Sequence, residues 1–382
     1  EIIHSTKMCG AAVAWSLIRN LVSKNFSDEL LDLVAMATVA DMMPLQEVNR
    51  AIVKRGLEVL NRTKRVGLLA LFREAGITTG NITSYEVGHI IAPRLNAMGR
   101  LEHAIDSLRL LCTKDPVKAG KLAELIGAAN TQRRELTIKA VDEARILING
   151  SSEKIHVLSS KDWVPGIVGL IAGRVCEETK VPAIAISIGP VHSKGSARSV
   201  RDINIVETLR KCSDILVAVG GHPGAAGFTI ETSKIEIFKE RLEELMDGNE
   251  ESGEHELEIE AEVQGDKLTL NLAKELEKFE PFGVSNPRPV LATINMKLSD
   301  LRTVGDGKHL KGKVLLPRHP EPRNRVRGEL REGSIEFIAF SMGNMLNILG
   351  SGQYANLAYN LQIDTFNGNE KLQLKVKDIK TV

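Results

Sequence analysis

Up to residue 148 the apolar positions recur at helical spacing. The segments "MCGAAVAWSLIRNLV" (8–22), "NRAIVKRGLEVLNRT" (49–63) and "VGLLALFREAG" (66–76) predict helices, the first with a small-residue face suited to close packing. "LLDLVAMATVADMMPL" (30–45) runs from a helix or strand into Asp41 and stops at Pro44, and "SYEVGHIIAPRLNAMGRL" (84–101) is apolar before turning polar. Residues 115–148 predict one or two long helices, with Asp115 as N-cap and Pro116 at the first helical position. So long an element between compact parts suggests a domain connector. From 154 the rhythm changes. Strands "KIHVLSS", "VPAIAISIG", "DILVAVGG" and "AGFTIE" alternate with helices "GIVGLIAGRVCEET", "INIVETLRKC" and "SKIEIFKERLEELM", which predicts a layered sheet flanked by helices. An acidic, glycine-containing linker follows at 247–255. Beyond it lie five or six short alternating strands and one helix, "LNLAKELEKF", the pattern of a small closed, OB-like barrel.

Composition narrows the picture. A length of 382 residues suits two or three domains, and 43% hydrophobic content is ample for their cores. A net charge of +1 excludes whole-chain electrostatic attraction to a polyanion. The charge is uneven, though: 247–262 carries eight acids and no Lys or Arg, whereas 302–331 carries nine Lys/Arg against three acids. Aromatics make up only 4% of the chain, so any stacking surface relies on few rings. The four cysteines (9, 112, 176, 212) form no CxxC pair and read as reduced, buried residues of a cytosolic protein. No run reaches the length of a membrane span, and the start is not a signal peptide. Opening on Glu1 rather than Met predicts a chain cut from a longer one.

Candidate chemistry gathers at loops. Asp41 is a helix cap or a metal ligand, and capping is the reading its position alone favours. In "APRLNAMGR" (92–100), Arg94 and Arg100 flank Asn96, a set that suits a phosphodiester held in a turn of backbone or, more plainly, a solvated loop. "KGSARS" (194–199) sets Lys194, Ser196, Arg198 and Ser199 around Gly195, as an anion nest or a polar turn. "VAVGGHPGAAGFTIE" (217–231) places Gly220, Gly221 and His222 between two apolar runs. The glycines there either open the backbone to a charged ligand faced by His222 or make a tight turn. Together the three loops favour a phosphate ester as substrate, with His222 donating a hydrogen bond. Trp163 is read as a cleft ring or, by preference, a core residue. "FEPFGVSNPRPV" (279–290) reads as a structural entry to the barrel, and 308–331 as a track for a nucleic-acid backbone or as solvated charge.

The ordered set "CGAAVAW", "DLVAMATVADMMPLQEVNR", "IIAPRLNAMGRL", "WVPGIVGLIAGRV", "KGSARS", "VGGHPGAAGFTI", "FEPFGVSNPRPV" and "LAYNLQIDTFNGNEKLQLKVKDI" resembles the RecJ branch of the DHH phosphoesterase superfamily over essentially the whole chain. The resemblance implies an α/β fold: the C-terminal part of a DHH domain at 1–112, a helical connector at 113–150, a DHH-associated domain at 151–247 and an OB-like domain at 255–382. It implies single-stranded-DNA-specific 5′-to-3′ exonuclease activity in repair and recombination, with two Mn²⁺ or Mg²⁺ ions about 4 Å apart. Asp41 becomes a metal ligand, reversing the capping preference. Arg94, Arg100 and His222 become the catalytic candidates, and Ser196, Arg198, Lys194, Asn96, Gly220 and Gly221 the substrate-binding ones. Single-stranded DNA is the implied partner, with a single-strand-binding protein and a helicase as further candidates. A cytoplasmic monomer is expected. The Asp-His-His and Asp-x-Asp motifs would precede Glu1, so the chain is expected to lack most metal ligands and to be inactive alone. Val164 stands where a His often follows the Trp, and Ala197 where a Gly is common. Rival readings are a non-catalytic single-strand-binding scaffold and a phosphodiesterase acting on oligoribonucleotides or cyclic dinucleotides.

Overall fold

The computed structural model describes residues 4–148, 153–200, 203–246, 256–316, 333–364 and 370–382. Contacts divide it into two compact units. One comprises Gly10–Ala40 and Arg55–Glu254, the other Glu1–Cys9, Asp41–Lys54 and His255–Val382, within their described residues.

The first unit begins with helices α1 (Gly10–Ile18), α2 (Lys24–Glu29) and α3 (Leu31–Ala40). The C-terminal half of α4 (Glu47–Leu60) and α5 (Val66–Glu74) follow. Helix α6 (Ser84–Glu86) then runs through a π-helical turn (Val87–Ile91) into α7 (Ala92–Leu101). A capping box starts it: the Tyr85 N–H donates to Thr83 Oγ1 at 3.1 Å, and the Thr83 N–H donates to the Glu86 carboxylate at 2.8 Å. Pro93 sits in the first turn of α7, directly after the π-helical turn. The stretch read as a loop at 92–100 is therefore helix. After α8 (Ile105–Cys112) comes α9 (Pro116–Ile148), one helix of 33 residues. Asp115 caps it, accepting from the N–H groups of Val117 (2.8 Å) and Lys118 (3.3 Å).

Helix α9 serves two cores. Ala119, Ala123, Ile126 and Ala129 pack with Leu71, Phe72, Met98 and Leu110. Ala140, Val141 and Ala144 pack with Trp163, Ile167, Ile171 and Val175. Trp163 is thus a core residue: its Nε1 donates to Glu143 at 2.8 Å, and its carbonyl accepts from Ser187 Oγ at 2.6 Å.

The sheet follows as β1 (His156–Ser160), α10 (Val168–Thr179), β2 (Ala183–Ser187), β3 (His192–Arg198), α11 (Ile205–Arg210), β4 (Leu216–His222), β5 (Ala225–Glu231) and α12 (Ile235–Met246). Strand order is β1-β2-β3-β5-β4, with β1–β2 parallel and the other pairs antiparallel. "KGSARS", read as a turn, lies mostly in β3, and "GGH" ends β4. Both runs carry so many small and polar residues that their strand character is hidden, and pairing across the sheet decides it.

The second unit holds β6 (Ala261–Glu262), α13 (Leu270–Glu277), β7 (Leu291–Val304), β8 (His309–Leu315), β9 (Ser334–Ala339), β10 (Tyr354–Asp364) and β11 (Lys371–Thr381). The pairs β7–β8, β8–β9, β9–β11, β11–β10 and β10–β7 close a five-stranded barrel, with β9–β11 parallel. Leu298, Leu310, Val314, Phe337, Leu361 and Leu374 fill it. Tyr359 is fully buried, its hydroxyl 2.6 Å from Thr293 Oγ1. The turn-rich 279–290 segment docks residues 41–54: the Leu45 N–H donates to the Val284 carbonyl at 2.7 Å, and Arg50 donates to the Phe279 and Glu280 carbonyls at 2.9 and 3.3 Å.

One expectation needs correction. Cys112 is exposed at the end of α8, whereas Cys9, Cys176 and Cys212 are buried thiols. Within the described part of the basic stretch, Lys311 pairs with Glu336 (2.9 Å) and Lys313 with Asp300 (2.7 Å). Residues 317–332 lie outside the described residues, as do 247–255 of the acidic segment.

Truncating Phe337, which is fully buried in the barrel, to Ala should destabilise that unit by about 3–5 kcal/mol. Urea unfolding followed by a barrel-specific probe measures it.

Candidate functional site: a cationic cleft on the sheet

Period-two alternation builds one wall. Along β3, Ser193, Gly195 and Ala197 are buried, so Lys194, Ser196 and Arg198 share the opposite face. Gly195 is required inside: a Cβ there would lie 2.1 Å from the Phe228 ring. The Arg198 guanidinium folds back, donating from Nη1 to Ser196 Oγ at 3.0 Å and to the Ala197 carbonyl at 2.8 Å.

The facing wall is the start of α10 and the end of α7. Arg100 Nη1 donates to the Gly166 carbonyl at 3.0 Å. A Cβ on Gly166 would come 2.0 Å from the Arg100 carbonyl oxygen, so glycine is what lets α7 back onto this turn. In the first turn of α10, a Cβ on Gly169 would sit 3.1 Å from Arg198 Nη2 and 3.2 Å from Ser196 Oγ. Its absence leaves space beside the guanidinium.

These walls, with Ala218, Val219 and Gly220 of β4, enclose a cleft of about 470 Å³. Arg100, Lys194 and Arg198 line it together with the N-terminus of α10, and among the described residues no carboxylate does. The positive end of α10's dipole adds to the three cations. Burial pulls the Arg198 pKa below its ordinary value, with the nearby Arg100 charge as a further cause. Burial alone does the same to Arg100. Both stay protonated at any working pH, so the cleft carries uncompensated positive charge. It can accept an anion with several acceptor oxygens.

Not every predicted residue reaches this cleft. Arg94, also on α7, is held by Glu74 at 2.9 Å and donates to the Ile90 carbonyl at 3.1 Å. Asn96 is exposed, and neither it nor Arg94 lines the cleft. His222 is exposed at the tip of β4, paired across the Pro223-Gly224 turn with Ala225. It lies two residues beyond the cleft-lining Gly220. Gly221 is crowded, since a Cβ would come 2.4 Å from the Ala225 carbonyl oxygen, whereas Gly220 faces open space. Asp41 is exposed just after α3 and belongs to the barrel unit. Among the described residues no three His, Cys, Asp or Glu side chains gather as a metal site, so Asp41 by itself does not fit a divalent ion. Sequence reasoning missed Gly166 and Gly169, whose role depends on contacts with Arg100 and Ser196. No helix of the described residues is long and apolar enough to cross a membrane.

Fold and cleft together define an α/β unit with a cationic, carboxylate-free groove, carried on one chain with a closed OB-type barrel. Residues 152–248 match the DHHA1 domain and residues 259–378 the RecJ OB domain. The single-stranded-DNA-specific exonuclease RecJ of Bacillus subtilis is 33% identical over 379 residues, which is 97% of this chain and 46% of the relative. Crystal structures of Thermus thermophilus RecJ in complex with Mg²⁺ and with Mn²⁺ superpose with TM-scores of 0.79 and 0.80 at 28% and 29% identity. Each covers 97% of this chain, and the chain covers 55% and 52% of them. The chain is homologous to RecJ proteins over nearly its whole length, and it spans about half the length of the B. subtilis relative.

Inorganic phosphate should raise the Tm of the chain, because it binds the folded cleft and not the unfolded chain; at 100 times its Kd the gain is about 2.7 kcal/mol. Arg198→Gln should abolish the rise. Thermal unfolding with and without phosphate, at matched ionic strength, checks both.

Proposed function

We propose that this chain binds and orients single-stranded DNA for a 5′-to-3′ exonuclease of DNA repair and recombination. The observation that carries this is the cleft: Arg100, Lys194 and Arg198 face the same space with no carboxylate among its lining in the described residues. A phosphate at a strand's 5′ end would accept from Arg198, Ser196, Lys194 and Arg100, and its negative charge would relieve the repulsion among the three cations. Gly220, without a Cβ and facing open space, would let the sugar–phosphate backbone approach. His222, exposed at the β4 tip, would donate to an oxygen of the scissile region, and Asn96 and Arg94 would follow the strand beyond it. For Arg94 that requires leaving Glu74, so it is the weaker contact.

The barrel would feed the strand by charge and limited stacking. In the relatives, Mg²⁺ or Mn²⁺ is bound; a divalent pair supplies an activated water and stabilises the leaving oxygen. Toward such ions the resemblance names Asp41, which does not form a site by itself, and no hydrolytic step is assigned to this chain's own side chains. We further assign the domain limits 1–112, 113–150, 151–247 and 255–382, a monomer in the cytoplasm, and a single-strand-binding protein and a helicase as working partners.

Fluorescence anisotropy with 5′-phosphorylated oligonucleotides tests the reading. Single strands should bind and duplexes should bind more weakly. Arg198→Gln should weaken single-strand binding about tenfold or more, since a charge-assisted hydrogen bond is worth about 1.5–3 kcal/mol. Equal binding of duplex and single strand, or an unaffected variant, would contradict it.

A further inference from the structure

The buried stripe of α9 runs through Ala119, Ala123, Ile126, Asn130, Ala140 and Ala144. Half-buried Arg133 and Thr137 fill the gap in it. The apolar halves on either side belong to the two different cores already described. At their junction sit two polar groups one turn apart. Asn130 is 4% exposed, and its Oδ1 is buried without a hydrogen-bond partner. The Arg133 Nε is likewise buried without one. The charges that bear on Arg133 are all positive: burial lowers its proton affinity first, then Arg100, Arg134 and Arg94 lower it further. A solvated helix charge would point away from the cores. Here the Nε is buried and the end of α7 lies alongside, Met98 packing with Ala129 in one core and Leu101 with Leu136 and Ala140 in the other, and Arg133 forms no ion pair among the described residues.

Burying an unpaired cation beside other cations is unfavourable, and so is leaving a buried polar atom without a partner. An anion with several acceptor oxygens removes the first conflict directly, and the second once the Asn130 amide turns its N–H₂ toward it. Of those charges, Arg100 also lines the cleft, and the next residue, Leu101, packs with Leu136 of α9, so the two anion positions adjoin.

We propose that Arg133, assisted by the Asn130 amide, forms a second phosphate-binding subsite next to the cleft, taking a backbone phosphate of the strand whose 5′ end Arg198 holds. Rotating the Asn130 amide by half a turn puts its N–H₂ where Oδ1 stands, giving the phosphate a second donor. The subsite rests on the single-strand reading of the cleft. It makes Arg133 a positioning residue that holds the strand beyond its first phosphate.

The test uses the whole chain with Arg133→Gln, Arg133→Lys and Arg198→Gln. Binding of a 5′-phosphorylated oligothymidylate is measured across a salt series, binding of thymidine 5′-monophosphate at one salt, and Tm without ligand. Arg133→Gln should weaken the oligonucleotide several-fold and make the log K against log salt slope shallower by about 0.7, the value for one released phosphate contact on a single strand. The mononucleotide, with its single phosphate, should bind as to wild type. Tm without ligand should be unchanged or higher, because an uncompensated charge has been removed. Arg133→Lys should keep the slope. An unchanged slope for Arg133→Gln, with Arg198→Gln still weakened, would overturn the subsite and leave the cleft reading intact. A lowered Tm with an unchanged slope would make Arg133 structural. Failure of the wild-type chain to bind the oligonucleotide would overturn both.

Discussion

Like charges held together without a counter-charge are the constraint on which this unit turns. Arg100 and Arg198 come from a helix and a strand far apart in the chain, and each is held by a neighbour that carries no charge: the Gly166 carbonyl for one, Ser196 Oγ and the Ala197 carbonyl for the other. Neutral acceptors orient a guanidinium without quenching it. The field in the cleft therefore stays available to a ligand, and the repulsion is compensated when an anion arrives.

The fold supplies what this arrangement needs. Pleating of β3 sorts its small residues inward and Lys194, Ser196 and Arg198 outward. Glycines at 166, 169 and 195 remove the Cβ atoms that would separate α7, α10 and β5 from the charged groups. Helix α9 then ties the helical part to the sheet by burying one end in each core. A rigid spine of this kind fixes the spacing of groups borne on α7 and β3, which a flexible connector would not. The connector reading from length alone was therefore incomplete.

Much of the architecture was legible. The switch from helical to alternating periodicity near 154 marked the sheet, and the even run of short strands marked the barrel, because burial imposes those periods directly. What periodicity could not show was local conformation where side chains are small or polar. "PRLNAMGR" carries Gly99 and two arginines and looks like a loop, yet the π-turn and Pro93 lead it into α7. "KGSARS" looks like a turn, yet sheet pairing makes it strand, and the strand that ends "VAVGG" runs on through His222. Of the residues singled out there, Arg100, Lys194, Ser196, Arg198 and Gly220 share one cleft. Arg94 does not, because Glu74, twenty residues earlier in the chain, claims it. Arg133 was invisible for the opposite reason: only the packing of α9 reveals that it faces inward.

The central claim is that Arg100 and Arg198 act on the same phosphate. A double-mutant cycle on 5′-phosphorylated single-stranded DNA binding, with Arg100→Gln, Arg198→Gln and the pair, measures it most directly. If both guanidiniums hold one group, the losses are non-additive by more than about 0.5 kcal/mol. Strictly additive losses would show two independent contacts and contradict the account.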